Sequence, residues 1–409
     1  TPIGEREITD IVPVVNGQYY RAIVVPQTVD ASMALLRITV DGTPYLFRKS
    51  EALEYKAGKL HKFTISVSKK DGSGVELNLV NEEITPWESE TISHDGAARE
   101  YIVINVPEVI KGKSALELAI KEAGLKSDRI VNMKVIGQLN EEDFDFMGSR
   151  FSMLSLTNLN LEDVVLYDNA GNLSNKIPSQ AFSSSTKLMR IILPKSTEII
   201  GSSAFSFCTT IVYIDIPEGV KEIEDSAFLY ALSPNVTLTL PSSLEILRTR
   251  AFEYCRATFK DFHLPKSLKR IESSAFMRTK LDTEIVLPDN LELLGSSAFA
   301  ESGLKGGLKI PNTINEIQQS TFSGCKFTGN LVLPEGLLAI GNNAFYNCCN
   351  LSSVTFSKNL KSIGDFAFSE CPKLTSIIIP KNLDDIGICA FDNEQSTDNM
   401  ITISTDSVG

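Results

Sequence analysis

The nonamer IGSSAFSFC at Ile200–Cys208 returns as IGNNAFYNC at Ile340–Cys348 and as IGDFAFSEC at Ile363–Cys371. Its central Ala-Phe pair anchors a longer pattern. The pair occurs at Ala181, Ala204, Ala227, Ala251, Ala275, Ala298, Ala344, Ala367 and Ala390, and Thr321 fills the one missing place, also followed by Phe. Successive anchors lie 23 or 24 residues apart. A fixed period in the twenties marks a solenoid, each unit supplying one coil.

The rest of the unit follows at fixed offsets. Pro194, Pro217, Pro241, Pro265, Pro288, Pro311, Pro334 and Pro380 each stand ten residues before an anchor, and Ser357 fills the one remaining place, between Pro334 and Pro380. Apolar residues recur one and three residues before that Pro, as in Ile191/Leu193, Ile214/Ile216 and Leu331/Leu333. Spacing of two predicts a strand with one buried face, which the Pro ends because it has no N–H to donate. A second apolar pair follows three and six residues after the Pro, as in Val220/Ile223 and Leu337/Ile340. One coil is too thin to bury these residues; stacking about ten coils at roughly 4.8 Å aligns them into ladders along a rod or arc some ~45–50 Å long. The final run MITISTD reads as one more strand, after the last coil.

Residues 171 to about 404 resemble the BspA-like leucine-rich repeat, written L-x-x-I-x-I-P-x-x-L-x-x-I-G-x-x-A-F-x-x-C. Departures are local: Ser357 for the Pro, Thr321 for the Ala, and Glu224, Arg248, Glu272 and Gln318 for the Gly. Ahead of the repeats, SALELAIKEAG predicts a short helix ending near Gly124, IVNMKVIG a strand, and FSMLSLTNLNLEDV a further apolar alternation. These resemble the cap and irregular first coils of that family.

Residues 1–92 carry no repeat. The runs YYRAIVVPQ, ALLRITVDG, TPYLFRKS, HKFTISVSK and GVELNLVN are β-rich and parted by Asp-Gly, Ala-Gly and Gly-Ser-Gly turns. Their order resembles part of the fimbrillin-like proteins, subunits or relatives of surface fimbriae in Gram-negative anaerobes. The fold class expected is therefore mainly β. A small all-β domain (1–92) leads into a linker, cap and irregular coils (93–170), and then into a leucine-rich-repeat solenoid with a C-terminal cap strand (171–409).

Chemistry is sparse. Three histidines, His61, His94 and His263, lie far apart among 409 residues, too few for a triad or two-His metal site without all converging. Cys208, Cys255, Cys325, Cys348 and Cys371 each follow the repeat Ala by four, so their spacing is the solenoid period and they read as small buried hydrophobes. A disulfide between neighbouring ladder positions is the alternative. KKDGSGVEL reads as a hairpin turn, since no third Gly or helix of a dinucleotide loop follows. EEDFDF lacks the Gly and terminal Glu of a calcium loop and reads as a solvated helix start. No nucleophile elbow or phosphate loop occurs, so no cofactor, metal or enzymatic activity is expected.

Net charge of −12 disfavours nucleic acid and anionic membranes, and no apolar run is long enough to span a bilayer. What remains is surface. Residues two and four before the Pro face outward and vary from unit to unit. Arg190, Tyr213, Asp215, Asp261, His263, Glu284 and Lys309 are the candidate protein-binding residues among them. The resemblance implies export and display on the outer membrane of a Gram-negative cell. It also implies a lipid anchor in a segment not in this chain, and attachment to host extracellular-matrix or bacterial surface proteins. The fimbrillin-like stretch implies, as the second possibility, an accessory or tip subunit of a fimbria-like structure.

Overall fold

The computed structural model describes residues 101–149, 151–259, 262–393 and 402–405, and strands between residues 27 and 86. The chain divides into two compact units, Thr1–Ala98 and Arg99–Gly409.

In the first unit the described strands pair antiparallel. Ala34–Val40 pairs with Thr43–Arg48, Lys59–Lys70 with Gly74–Pro86, and Gln27–Val29 with Leu53–Tyr55. The strand expected over 19–26 lies outside the described residues.

The second unit opens with a parallel sheet of Ile102–Val106, Asn132–Leu139 and Asn158–Tyr167. Two helices join these strands: α1, Ala115–Glu122, and α2, Glu141–Gly148. The helix and strand expected over 115–139 form, and Gly124 takes the left-handed turn (φ +69°) that ends α1. Ile102–Val106, within the expected linker, is the outermost strand of this sheet. The acidic start of α2 departs from expectation, because Asp143 is fully buried. Its carboxylate accepts from Ser114 Oγ (2.8 Å), the Leu116 amide (2.9 Å) and the Asn140 amide (2.9 Å), clamping both helix N-termini to each other.

Ten coils follow, numbered here from the Ala181 coil. Their corner is held by an alternating hydrogen-bond pattern. Ala204, Ser206 and Cys208 donate their amides back within the coil, to Gly201, Ser203 and Phe205; Ser203, Phe205 and Phe207 donate forward, to Asp225, Ala227 and Leu229 of the next coil. The alternation requires left-handed backbone one residue before and three after the Ala. Non-glycine residues fill nearly all of these positions, among them Ser203 (φ 55°), Phe207 (59°), Arg250 (60°) and Asn343 (57°). Each such residue costs on the order of 1–2 kcal/mol, and the repeated inter-coil bonds and core offset it.

Inside, the phenylalanines stack from Phe182 to Phe391 with ring centroids 5.1–6.0 Å apart and planes within 17°. Phe144 of α2 meets the first ring edge-on at 5.9 Å, closing the ladder with the cap. The Ala ladder beside it is buried throughout. Thr321 fits its Ala place by donating its hydroxyl to the Gln318 carbonyl (2.8 Å), and Ser357 replaces the Pro by donating to the Glu335 carbonyl (3.0 Å).

The sheets differ from the sequence expectation in one respect. The strand before the Pro is regular at Arg190–Ile192 and Tyr213–Asp215, and again at Gly329–Val332, Leu351–Thr355 and Ser376–Ile379, where Thr402–Thr405 adds the expected final strand. Between, among the described residues, pairing on this side is reduced to a Thr237–Thr258 bridge and a two-residue ladder of Lys305–Gly306 with Lys326–Phe327. The two 24-residue units place their extra residue just ahead of this strand, and the interruption continues through the two 23-residue units that follow. The second apolar pair instead carries the steadier sheet. It runs in two-residue strands from Lys176–Ile177 to Leu293–Leu294, and from Glu316–Ile317 to Asp385–Ile386. The gap between these sheets coincides with the widest ring spacing, 6.0 Å between Phe299 and Phe322.

Replacing Phe252, in mid-ladder, by Ala removes two stacked neighbours and is expected to cost about 3–5 kcal/mol of unfolding free energy. Phe391→Ala, at the half-buried ladder end, costs less than half of that. Chemical denaturation of both variants checks the ranking.

Candidate functional site

Which surface is free to meet a partner follows from where the charges go. Next to the sheet after the Pro, neighbouring coils neutralise each other. Lys221 pairs with Glu198 (2.9 Å) and Lys269 with Glu245 (2.6 Å). Arg248 bridges Glu222 (2.6 Å) and Glu272 (3.0 Å), while Lys176 holds Glu224 (2.7 Å). Three of the four departures from the repeat Gly, Glu224, Arg248 and Glu272, are therefore members of an ion-pair column. The fourth, Gln318, accepts from Ser296 Oγ at 3.0 Å.

The strand face is different. From Pro217 onward the described residues two and four before the Pro are exposed or half-buried, while those one and three before it are buried or nearly so. The exception lies ahead of Pro194. Arg190 and Ile192 were expected to point into solvent, yet Arg190 is only 9% exposed and Ile192 8%. In the sheet, Arg190 lies between Asn158 of the cap and Tyr213 of the next coil, and Ile192 between Asn160 and Asp215. The Arg190 guanidinium sits 4.3 Å over the Tyr213 ring, so it positions that ring. Burial, with Asp215 beside it, pushes the Tyr213 hydroxyl above its ordinary value, so it stays protonated at neutral pH.

The remaining candidates fall in two groups. Tyr213 and exposed Asp215 form one, beside the cap. His263, Glu284 and Lys309 are exposed further along. His263 lines a recess of about 460 Å3 with Lys266, Val286, Pro288, Asp289 and Asn290, where the regular strand is interrupted. Lys309 reaches Asp289 of the recess wall at 3.4 Å. Asp261 lies outside the described residues. Three side chains absent from the candidate set share the column two before the Pro: Val286, Val332 and Ile378, exposed at 75%, 56% and 56%. They recur in every second coil. An apolar residue at an outward strand position was the signal that could have found them.

The ladder cysteines are structural. Cys208, Cys325, Cys348 and Cys371 donate their thiols to the carbonyl of the preceding coil's Phe at 2.8–3.3 Å, and no disulfide joins any of the seven cysteines. Burial pushes the Cys208, Cys255, Cys325 and Cys371 thiols up to about 12, and Cys348 well above its usual value. A thiol so raised stays protonated at neutral pH and is a poor nucleophile. Among the described residues no group of three or more His, Cys, Asp or Glu side chains converges to hold a metal ion.

Residues 175–305 and 306–409 match the family model of the BspA type leucine rich repeat region, in six copies, and residues 2–87 match the fimbrillin-like family model. A leucine rich cell surface protein from Faecalibacterium prausnitzii is similar at 22% identity, over 58% of this chain and 84% of that one, with a TM-score of 0.34. A leucine-rich repeat protein from Bacteroides ovatus is similar at 19% identity over 81% and 91% of the two chains, TM-score 0.32. The pneumococcal vaccine antigen PcpA is similar at 17% identity over 87% and 100%, TM-score 0.39. No curated protein matches the chain.

Two outcomes follow. A thiol reagent applied to the native protein labels Cys349 and Cys389, the exposed pair, and reaches the other five only on unfolding, as peptide mapping would record. Acid acts through the ion-pair column. Burial alone would raise the Glu224 carboxyl, but Lys176 and Ser202 outweigh it and hold it below the ordinary value. Its stabilisation is thus complete above the unfolded value near 4.5 and is lost as pH falls through the folded one. Glu224→Gln should lower Tm at pH 7 and shrink the wild-type drop in Tm between pH 7 and about pH 3.

Proposed function

Because the chain belongs to the BspA-type leucine-rich repeat family, we propose that it is a non-enzymatic cell-surface binding protein whose strand face recognises host extracellular-matrix or bacterial surface proteins. The observation that carries this reading is the contrast between two faces of one stack. The sheet after the Pro neutralises its own charges, whereas the strand face presents Val286, Val332 and Ile378 to solvent between polar residues. Apolar anchors ringed by polar and charged side chains are the composition of a protein-recognition surface. Tyr213, Asp215, Asp261, His263, Glu284 and Lys309 supply its specificity, and Arg190 positions Tyr213.

The proposed setting is the outer surface of a Gram-negative cell, with attachment through a lipid-modified segment ahead of Thr1. The domains proposed are a fimbrillin-like β domain (1–92), a capping region (93–170) and the solenoid (171–409). The match of residues 2–87 to the fimbrillin-like model supports a second reading, in which the solenoid is displayed by an accessory or tip subunit of a fimbria-like structure.

An array of extracellular-matrix and bacterial surface proteins, probed with the full chain and with Val286→Ser/Val332→Ser/Ile378→Ser, tests the first reading. At least one target should bind the wild type and lose about tenfold in affinity with the triple variant, the loss of a few small apolar contacts. Equal binding by both removes the strand face from the proposal, and an array without any captured target removes the partner class.

A further inference from the structure

The junction between coils 6 and 7 is bonded on one side only. At every other junction of the ten coils, the amide four residues after the Pro place donates to its counterpart's carbonyl one coil back, as Glu292 does to Lys269 (2.7 Å) and Leu338 to Asn315 (2.8 Å). The amide seven residues after it also donates back, as Gly295 does to Ile271 (2.8 Å) and Gly341 to Ile317 (2.7 Å). Between coils 6 and 7 both bonds are missing. Asn315 does not reach Glu292, nor Gln318 Leu294, and the sheet after the Pro ends on one side and starts afresh on the other. Strand pairing ahead of the Pro is absent there too. The corner holds: Ser297, Phe299 and Glu301 donate to Gln319, Thr321 and Ser323 at 2.7–2.9 Å, and Lys326 and Thr328 donate back to Leu304 and Gly306.

Two departures from the repeat fall in coil 7, Gln318 and Thr321, and the other coils separate their effects. Glu224, Arg248 and Glu272 occupy the same place as Gln318 and keep both bonds, so a large side chain there does not part the coils. Thr321 has no such counterpart. It is fully buried in the ladder between Ala298 and Ala344, and its hydroxyl stands 3.4 Å from the Gly295 carbonyl of coil 6. The rings beside it are the most widely spaced of their ladder, 6.0 Å apart against 5.1–5.6 Å elsewhere. A close-packed ladder accommodates an added methyl and hydroxyl by moving its neighbours. Side-chain ties lace the opened side: the Thr313 hydroxyl on the Leu291 carbonyl (2.5 Å), Ser296 on Gln318 (3.0 Å) and Lys309 on Asp289 (3.4 Å).

We infer that Thr321 is a wedge and the junction of coils 6 and 7 a hinge: coils 1–6 and coils 7–10 move as two blocks about the bonded corner, opening and closing the side after the Pro. Asn315 is exposed and Gln318 half-buried, so water takes their amides and opening leaves no buried donor unpaired. Any other junction must break backbone bonds to flex, whereas this one loosens only side-chain ties. The hinge falls between Val286, on the strand leading into coil 6, and Val332, on the strand leading into coil 8. Its angle therefore sets the separation of two exposed apolar residues of the strand face. That consequence for a partner rests on the strand-face reading; the hinge itself belongs to the free chain.

Residue-resolved hydrogen exchange of the full chain reads the opened side. The amides of Asn315 and Gln318 should exchange about tenfold faster than those of Glu292, Gly295, Leu338 and Gly341 at the same offsets, the protection one backbone hydrogen bond confers. Thr321→Ala installs the residue of the other coils and should slow Asn315 and Gln318 to the rate of those counterparts. Should that variant fail to fold, Ala344→Thr, which places a second wedge one coil on, should speed exchange at Leu338 and Gly341 by a similar factor. The motion is read by paired spin labels in a chain carrying Cys349→Ser and Cys389→Ser. Labels on Lys269→Cys and Lys361→Cys straddle the junction and should give a broader distance distribution than labels on Glu198→Cys and Glu292→Cys, equally far apart in coils but within one block. Equal exchange at all six amides, or two distributions of equal width, overturns the hinge. Fast exchange that Thr321→Ala leaves unchanged overturns the wedge. No partner enters these measurements, so their failure is distinct from failure of the strand-face reading.

Discussion

A coil of 23 residues encloses too few side chains to bury any of them by itself. Every apolar residue inside this stack is covered by the same residue of its neighbours, and the phenylalanine ladder is the plainest form of that dependence. The inter-coil bonds at the corner fix the coils at one ring spacing, which lets the rings stack. The price is a left-handed backbone at two places in nearly every coil, borne by serine, asparagine, arginine and even phenylalanine. A residue that would be strained in isolation is held here because both neighbours are held the same way.

The same constraint divides the surface. Residues one coil apart sit side by side, so opposite charges placed one period apart meet, as Glu198 meets Lys221 and Glu245 meets Lys269. Such a column is satisfied by its own chain. On the strand face Lys309 meets Asp289 and Asn330 meets Thr355, but Val286, Val332 and Ile378 have no polar group to pair and stay exposed to another molecule.

How much of this was legible depended on whether a feature repeats. The period, the inward pairs, the Ala-Phe corner and the structural cysteines were readable because ten near-identical environments select the same residue types. Asp143 was not readable: its burial comes from α1 and α2 meeting end to end, a contact between segments some 27 residues apart. Arg190 carries the outward spacing of its column, but only the cap strand beside it shows why it is covered. The strand interruption in mid-stack spans the two longer units and two of ordinary length, so unit length alone does not reveal it. The corner stack of Phe207, Tyr230 and Tyr254 escaped notice because these rings stand at a position with no apolar periodicity beyond three coils.

The corner hydrogen bonds carry one more implication. Each coil offers its forward amides to the coil that follows and its carbonyls to the coil before, so the stack has a sense, like an arrow. Joining two such stacks tail to tail would set donors against donors at every corner. Duplicating one coil inside the stack leaves all donors facing acceptors, whatever the copy number. Lineages can therefore lengthen or shorten this protein by whole units without redesigning its ends, and each gained unit adds one fresh set of outward residues for selection to work on.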